Sequence, residues 1–307
     1  MQLGMIGLGR MGLNMATRLV TGGHKVVGYA RREETVNQAK EKGIDAAYSL
    51  KELVQKLSVP RIIWLMIPAG DPIDKTIQDI SSELEEGDVI VDGGNSNYKD
   101  SIRRAALLKK NKIHYVDVGT SGGIWGLTEG YSMMVGGEKD VVEQLNPIFE
   151  TLAPTKDKGW GHVGTNGAGH FVKMVHNGIE YGLMQAYAEG FALLKKKSEF
   201  NLNLHQIAEI WRFGSVVRSW LLDLTSQALE EDSELKNIAP YVEDSGEGRW
   251  TIFEAIDLDV AAPIITLSLL RRLRSRDNES FADRILAVMR QKFGGHAVKR
   301  KNDKKTD

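Results

Sequence analysis

A chain of 307 residues without a single cysteine cannot form disulfides, thiolate nucleophiles or cysteine–zinc centres, and it suits a reducing cytoplasm. No apolar run approaches the roughly 20 residues that span a bilayer, and no basic leader with a cleavage site precedes the first apolar segment. The protein is therefore expected to stay in the cytoplasm, away from membranes. A net charge of −1 leaves no excess of either sign with which to hold nucleic acid or an anionic surface. The seven histidines make no cluster at metal-ligand spacing: His170 and His176 stand six apart, a poor match on a helix, so no metal is expected. What remains is ordinary globular material, 42% hydrophobic and 26% charged, which excludes disordered and fibrous classes. The length suffices for two domains.

Two textures meet near residue 165. Before it, apolar runs at 3–7, 25–30, 62–67, 89–92, 114–118 and 132–135 alternate with amphipathic stretches at 11–22, 33–42, 49–57, 72–84, 97–111 and 138–152. That alternation predicts βαβ units on a doubly wound, mostly parallel Rossmann-type sheet. Residues 160–169 carry loop chemistry, and the strand signal ends there. Helical patterns then run through 167–197, 204–213, 216–231, 252–274 and 279–293. The expected architecture is α/β followed by all-α: a dinucleotide-binding domain over 1–165 and a helical substrate-binding and dimerisation domain over 166–307. The basic tail, 299–307, reads as a frayed solvated end.

Gly7-Leu8-Gly9-Arg10-Met11-Gly12 follows the first predicted strand and opens the first helix, the context a dinucleotide fingerprint requires. Its glycines permit a tight turn and close backbone approach, and the helix N-terminus faces the pyrophosphate. The second predicted strand ends at Ala30, followed by Arg31 and Arg32. No carboxylate stands there to bind the ribose of NAD or repel a phosphate, and two guanidiniums can clamp the 2′-phosphate of NADP. Two surface arginines with no ligand are the alternative. NADP is the preferred cofactor on this reading, with NAD the other. Ile67, closing the third predicted strand, is expected to flank the cofactor as well.

Further glycine-rich segments, Val91-Asp-Gly-Gly-Asn-Ser96 and Gly119-Thr-Ser-Gly-Gly-Ile-Trp-Gly126, follow strand ends, where ligands bind in such sheets. The amides of Ser121-Gly122-Gly123 can cradle a carboxylate or oxyanion, although a tight structural turn explains either segment too. Beyond them Lys173, His176, Asn177, Glu180 and Tyr181 share one side of a helix at about 100° per residue. An internal ion pair or a solvated polar face would account for the lysine and glutamate alone. With Asn, His and Tyr on the same stripe behind a glycine-rich entry, an active-site wall is the better reading.

Together these segments resemble 6-phosphogluconate dehydrogenase, the decarboxylating family. The likeness spans nearly the whole chain: Gly7–Gly12, Asp92–Ser96, Ser121–Gly123, Lys173–Tyr181, Val217-Arg-Ser219, Gly246-Glu-Gly-Arg-Trp-Thr251 and Arg290-Gln-Lys-Phe-Gly-Gly-His296. The chain looks like the short form, with one helical unit where the long form has a duplicated one. Arginine at 249 replaces a frequent lysine, and Ala30 stands where many members place Asn or Asp. The resemblance implies oxidative decarboxylation of 6-phosphogluconate to ribulose 5-phosphate and carbon dioxide, with NADP or NAD reduced and no metal. It implies Lys173 as general base for the C3 hydroxyl and Glu180 as the acid that protonates C1 of the enediol. Asn177 and His176 would bind substrate hydroxyls, Ser121, Gly122 and Gly123 the carboxylate end, and Asn95 the nicotinamide ribose or substrate. Tyr181, Arg249, Thr251, Arg218, Arg290 and His296 would receive the phosphate, the last pair reaching over from a partner subunit of a homodimer or tetramer.

Two rivals differ in class or substrate. Another β-hydroxyacid dehydrogenase, acting on a small non-phosphorylated 3-hydroxy acid, would share the fold, the loop and the helical lysine without needing phosphate-binding cations. A non-catalytic NADP sensor would have no use for a base and an acid around a substrate.

Overall fold

The computed structural model describes residues 1–294 and 297–300. Eight strands, β1 (Gln2–Ile6), β2 (Lys25–Tyr29), β3 (Asp45–Ala47), β4 (Ile62–Leu65), β5 (Val89–Asp92), β6 (His114–Ser121), β7 (Ser132–Gly136) and β8 (Trp160–Gly164), form one sheet in the order β3-β2-β1-β4-β5-β6-β7-β8. Every neighbouring pair is parallel except β6 with β7. The chain winds outward from β1 through β2 to β3, then returns to β4 and winds the other way. That reversal makes a crevice at the carboxyl ends of β1 and β4, where a ligand of such a sheet sits.

Between the strands run α1 (Arg10–Thr21), α2 (Glu33–Lys40), α3 (Leu50–Gln55), α4 (Asp71–Ile80), α5 (Tyr98–Lys109), α6 (Gly126–Glu129), α7 (Lys139–Gln144) and α8 (Asn146–Leu152). The central strands read as unbroken apolar runs because both faces are covered: β4 and β5 are buried at every position. One core cluster gathers Leu3, Met5, Met15, Leu19, Trp64, Val91, Val118 and Phe149; the other gathers Ile6, Leu53, Ile63, Leu65, Ile73, Ile90 and Tyr115. Burying a side chain of this size contributes about 1.5–3 kcal/mol each.

After β8 the chain is helical: α9 (Ala168–Lys196), α10 (Leu204–Arg212), α11 (Trp220–Glu231), α12 (Glu247–Asp257), α13 (Pro263–Ser275) and α14 (Phe281–Gly294). Packing divides the chain into one unit of Met1–Glu180 with Gly246–Ala261 and a second of Tyr181–Ser245 with Ala262–Asp307. The second has its own core of Phe191, Leu204, Ala208, Leu222 and Leu229. The textural boundary at 165/166 marks where strands stop. The packing boundary falls later because the first part of α9, and α12, join the nucleotide-binding sheet. The α/β-then-helical architecture is as the sequence predicts.

Three local expectations are corrected. Residues 160–164 form β8, not loop: this glycine-rich stretch has little strand propensity of its own, and its parallel pairing with β7 creates the strand. The three-residue β3 is too short to leave a periodic signal. The long helix expected over 252–274 is two helices, since Pro263 starts α13 as a first-turn proline.

Candidate active site

The cofactor end is open where the fingerprint predicts. α1 begins behind Gly9 with no side chain capping its amides and no acid in its first turn. Gly7 takes φ +100, and a Cβ on Gly12 would lie 2.0 Å from the Gly7 carbonyl oxygen, so larger residues are excluded at both positions. A Cβ on Gly9 would meet nothing within 4 Å. These free amides at a positive helix end fit a pyrophosphate. Leu8 is buried, Met11 is half-buried against the core, and Arg10 lies exposed. Arg31 and Arg32 are exposed just past β2, and among the described residues their side chains make no hydrogen bond or ion pair. Ile67 packs, half-buried, on the second core cluster.

Asn95 is exposed on the loop after β5, which a buried polar network fixes beneath it. The Asp92 carboxylate accepts from the Gly94 amide at 3.1 Å, the Ser96 hydroxyl at 2.7 Å and the Tyr115 hydroxyl at 2.7 Å. Arg104, buried on α5, lies 3.5 Å from Asp92. It also donates to both Asp74 oxygens at 3.0 and 2.9 Å and to the Gly70 carbonyl at 3.1 Å. Two loops at the carboxyl edge, 66–70 and 93–97, are thereby tied to one guanidinium.

At the other side of the sheet's edge, Gly122 and Gly123 take φ +136 and +52 after β6, next to half-buried Ser121. α9 passes close over β6 because a Cβ on Gly119 would stand 2.3 Å from the Cβ of Lys173. Lys173 is only 6% exposed, and its amine makes no hydrogen bond among the described residues. Burial lowers its pKa from the ordinary lysine value, opposed by the charges of Glu180 and Glu247. Asn177 is buried one turn on, and its amide oxygen lies 3.1 Å from Nδ1 of His176. That same ring nitrogen lies 3.9 Å from Glu180, an ion pair whenever the imidazole is protonated. A base-capable amine, an amide, an imidazole and a carboxylate thus share one stripe of α9.

The phosphate candidates divide between units. Arg249 and Thr251 lie on α12 beside α9; the Thr251 hydroxyl is buried and faces the carbonyls of Met174 and Glu247, both at 2.8 Å, so it serves helix packing. Tyr181, Arg218 and Arg290 belong to the second unit, the two arginines exposed. His296 lies outside the described residues. The Tyr181 hydroxyl accepts from the Ser245 amide at 3.2 Å, and Arg272 stacks on its ring at 3.6 Å. Sequence reasoning passed over Arg272. The available signal was four arginines within 271–276, three on α13 and Arg276 just past its end.

Among the described residues no three His, Asp or Glu side chains gather as a metal site would need, and no helix is long and apolar enough to cross a membrane.

Comparisons with known proteins point to one family. Residues 2–164 match the NAD binding domain of 6-phosphogluconate dehydrogenase, and residues 169–306 match that enzyme's C-terminal domain. The NAD(+)-dependent, decarboxylating 6-phosphogluconate dehydrogenase of Haloferax volcanii is 44% identical over 304 residues, 99% of this chain and 100% of that one. The NADP(+)-dependent, decarboxylating enzyme of Bacillus subtilis is 39% identical over 291 residues, but this chain covers 62% of its length. A solved 6-phosphogluconate dehydrogenase from Plasmodium falciparum, studied apo, with NADP+ and with 6-phosphogluconate, superposes with a TM-score of 0.82 at 30% identity, covering 99% of this chain and 67% of that one. A nucleotide-ready loop, a lysine helix over the sheet edge and matches to both domain models that together span residues 2–164 and 169–306 lead to one conclusion: the chain belongs to the 6-phosphogluconate dehydrogenase family.

Proposed function

We propose that the protein oxidises and decarboxylates 6-phosphogluconate to ribulose 5-phosphate and carbon dioxide, with NADP or NAD as its cofactor. The observation that carries this reading is Lys173: buried, without a hydrogen-bond partner among the described residues, and on one helical stripe with Asn177 and Glu180. When bound at Gly7–Gly12, the nicotinamide dinucleotide supplies the hydride acceptor. Neutral Lys173 takes the proton of the C3 hydroxyl, which frees the C3 hydride to leave. The resulting ketone is the electron sink for loss of carbon dioxide, and protonated Lys173 stabilises the developing enolate oxygen. Glu180 protonates C1. Asn177, His176 and Asn95 hold hydroxyls, and the Ser121-Gly122-Gly123 amides hold the carboxylate end. Tyr181, Arg249, Arg218 and Arg290 meet the phosphate together with His296, and Arg272 joins them through its contact with Tyr181. Thr251 contributes by holding α12 against α9. In this reading residues 1–165 bind the dinucleotide and 166–307 bind substrate and dimerise. The protein works in the cytoplasm as a dimer or tetramer, with the segment from Arg290 to His296 reaching the neighbouring site. Exposed Phe213, Val216, Ile264, Leu267, Phe281 and Met289 support such an assembly. Incubation with 6-phosphogluconate and either cofactor should yield reduced nucleotide and carbon dioxide in equal amounts. Faster turnover of a phosphate-free 3-hydroxy acid would overturn the substrate, and no turnover of either would overturn the activity.

Identity to the relatives does not select the cofactor, since one is NAD(+)-dependent and another NADP(+)-dependent. Arg31 and Arg32 favour NADP. Arg31→Ala should raise the KM for NADP by roughly tenfold or more, the worth of a charge-assisted bond, and leave that for NAD within about twofold. Equal changes in steady-state assays would refute the assignment.

A further inference from the structure

The charge that anchors the lysine helix comes from the sheet. Asp117 lies on β6 and is fully buried. One carboxylate oxygen accepts from the Gly167 amide at 2.6 Å and the other from the His170 amide at 2.9 Å. These are first-turn donors of α9, which have no helical acceptor of their own. A buried carboxylate is costly, and burial does push the Asp117 pKa up, with His170 and the two amides pulling it back. Helix capping alone could be had more cheaply from a serine or asparagine at the helix's own entry. The placement on β6 adds something that a local cap cannot: residues 117, 119 and 121 share one face of the strand. Asp117 holds the first turn of α9. Gly119 receives the base of Lys173, and Ser121 begins the proposed carboxylate cradle. Across the ladder Gly136 pairs with Asp117, and a Cβ there would stand 2.7 Å from the carboxylate and 2.6 Å from the Gly169 amide. From the other side, His170 Nδ1 lies 2.7 Å from the hydroxyl of buried Ser101 on α5. The first turn is clamped between a strand and a helix, one turn before Lys173.

We propose that Asp117 is a positioning residue: its grip on the Gly167 and His170 amides sets how far Lys173 reaches along β6 toward Ser121-Gly122-Gly123. The proposal rests on Lys173 being the base. Asparagine at 117 keeps the shape and removes a buried charge, but offers one acceptor to two amides. In the full-length enzyme Asp117→Asn should lower kcat at least tenfold and leave the Kd for NADPH, read by fluorescence, within twofold. The isotope effect with 6-phosphogluconate deuterated at C3 should rise, because the step Lys173 assists becomes more rate-limiting. An unchanged kcat would overturn the proposal. So would kcat and NADPH affinity falling together with no change in isotope effect, the signature of a general loss of folded protein. If Asp117→Asn does not fold, Asp117→Ser, which leaves room for a water, is read by the same three measurements. Full turnover in Lys173→Met would instead remove the base itself, a failure distinguishable from any result at 117.

Discussion

Lys173→Met should reduce kcat by about 10²–10⁴-fold, the usual worth of a positioned general base, with NADP affinity unchanged within about twofold. Methionine keeps the buried stem and loses only the ammonium, so the packing of α9 on Gly119 survives. The size of the effect follows from the environment. An amine 6% exposed and lacking a hydrogen-bond partner among the described residues is held where its neutral form is favoured. The pH profile gives the sign. Burial lowers the folded pKa, so kcat/KM should rise with pH as the amine deprotonates, along a limb lying below the titration of a free lysine. The nearby carboxylates work the other way. Glu247→Gln removes one charge that favours the ammonium, and should carry that limb to still lower pH. Retained turnover in Lys173→Met would remove this residue from the mechanism. A limb that moves up in Glu247→Gln would contradict the electrostatic account.

Features that depend on local pattern were legible in the sequence. The fingerprint at Gly7–Gly12 and the polar stripe on α9 declare themselves because chain spacing alone fixes which residues share a face. The two-part architecture was legible because short apolar runs alternating with amphipathic stretches give way near residue 165 to helical patterns alone. What stayed hidden depends on pairing between distant segments. β8 becomes a strand only because β7 offers it a ladder. Asp117 shows nothing in a run of apolar β6 residues to mark it as the anchor of a helix fifty residues on. Arg272 gained meaning only when folding stacked it on Tyr181, and the Thr251 hydroxyl turned out to serve α9 itself. Periodicity assigns a residue to a face; it does not say what that face will meet.

The largest stability loss should come from a residue with no chemical role. Arg104→Met removes the only guanidinium among the described residues that contacts Asp92, Asp74 and the Gly70 carbonyl together. With Arg104 2% exposed and Asp92 fully buried, the deletion strands a charge in the interior. Breaking such a buried pair costs about 3–5 kcal/mol, which for a chain of this size lowers Tm by roughly 10 °C. Because the stranded carboxylate causes the loss, adding Asp92→Asn should return part of it, with a coupling of roughly 1–3 kcal/mol. The acid side supplies an independent check. Arg104, with a smaller share from Arg103, holds the Asp74 carboxyl down to about 2, so these contacts stabilise the fold above the ordinary carboxylate pKa of 3.8 and their contribution disappears as pH falls from there toward 2. In Arg104→Met that part of the acid transition should flatten. Catalysis should suffer in one parameter more than the other: the loops at 66–70 and 93–97 lose their shared tether, so the KM for the cofactor rises while chemistry at Lys173 is spared. Strictly additive losses in the double variant, or an unaltered acid transition, would mean that Arg104 is simply well packed and its charge is immaterial.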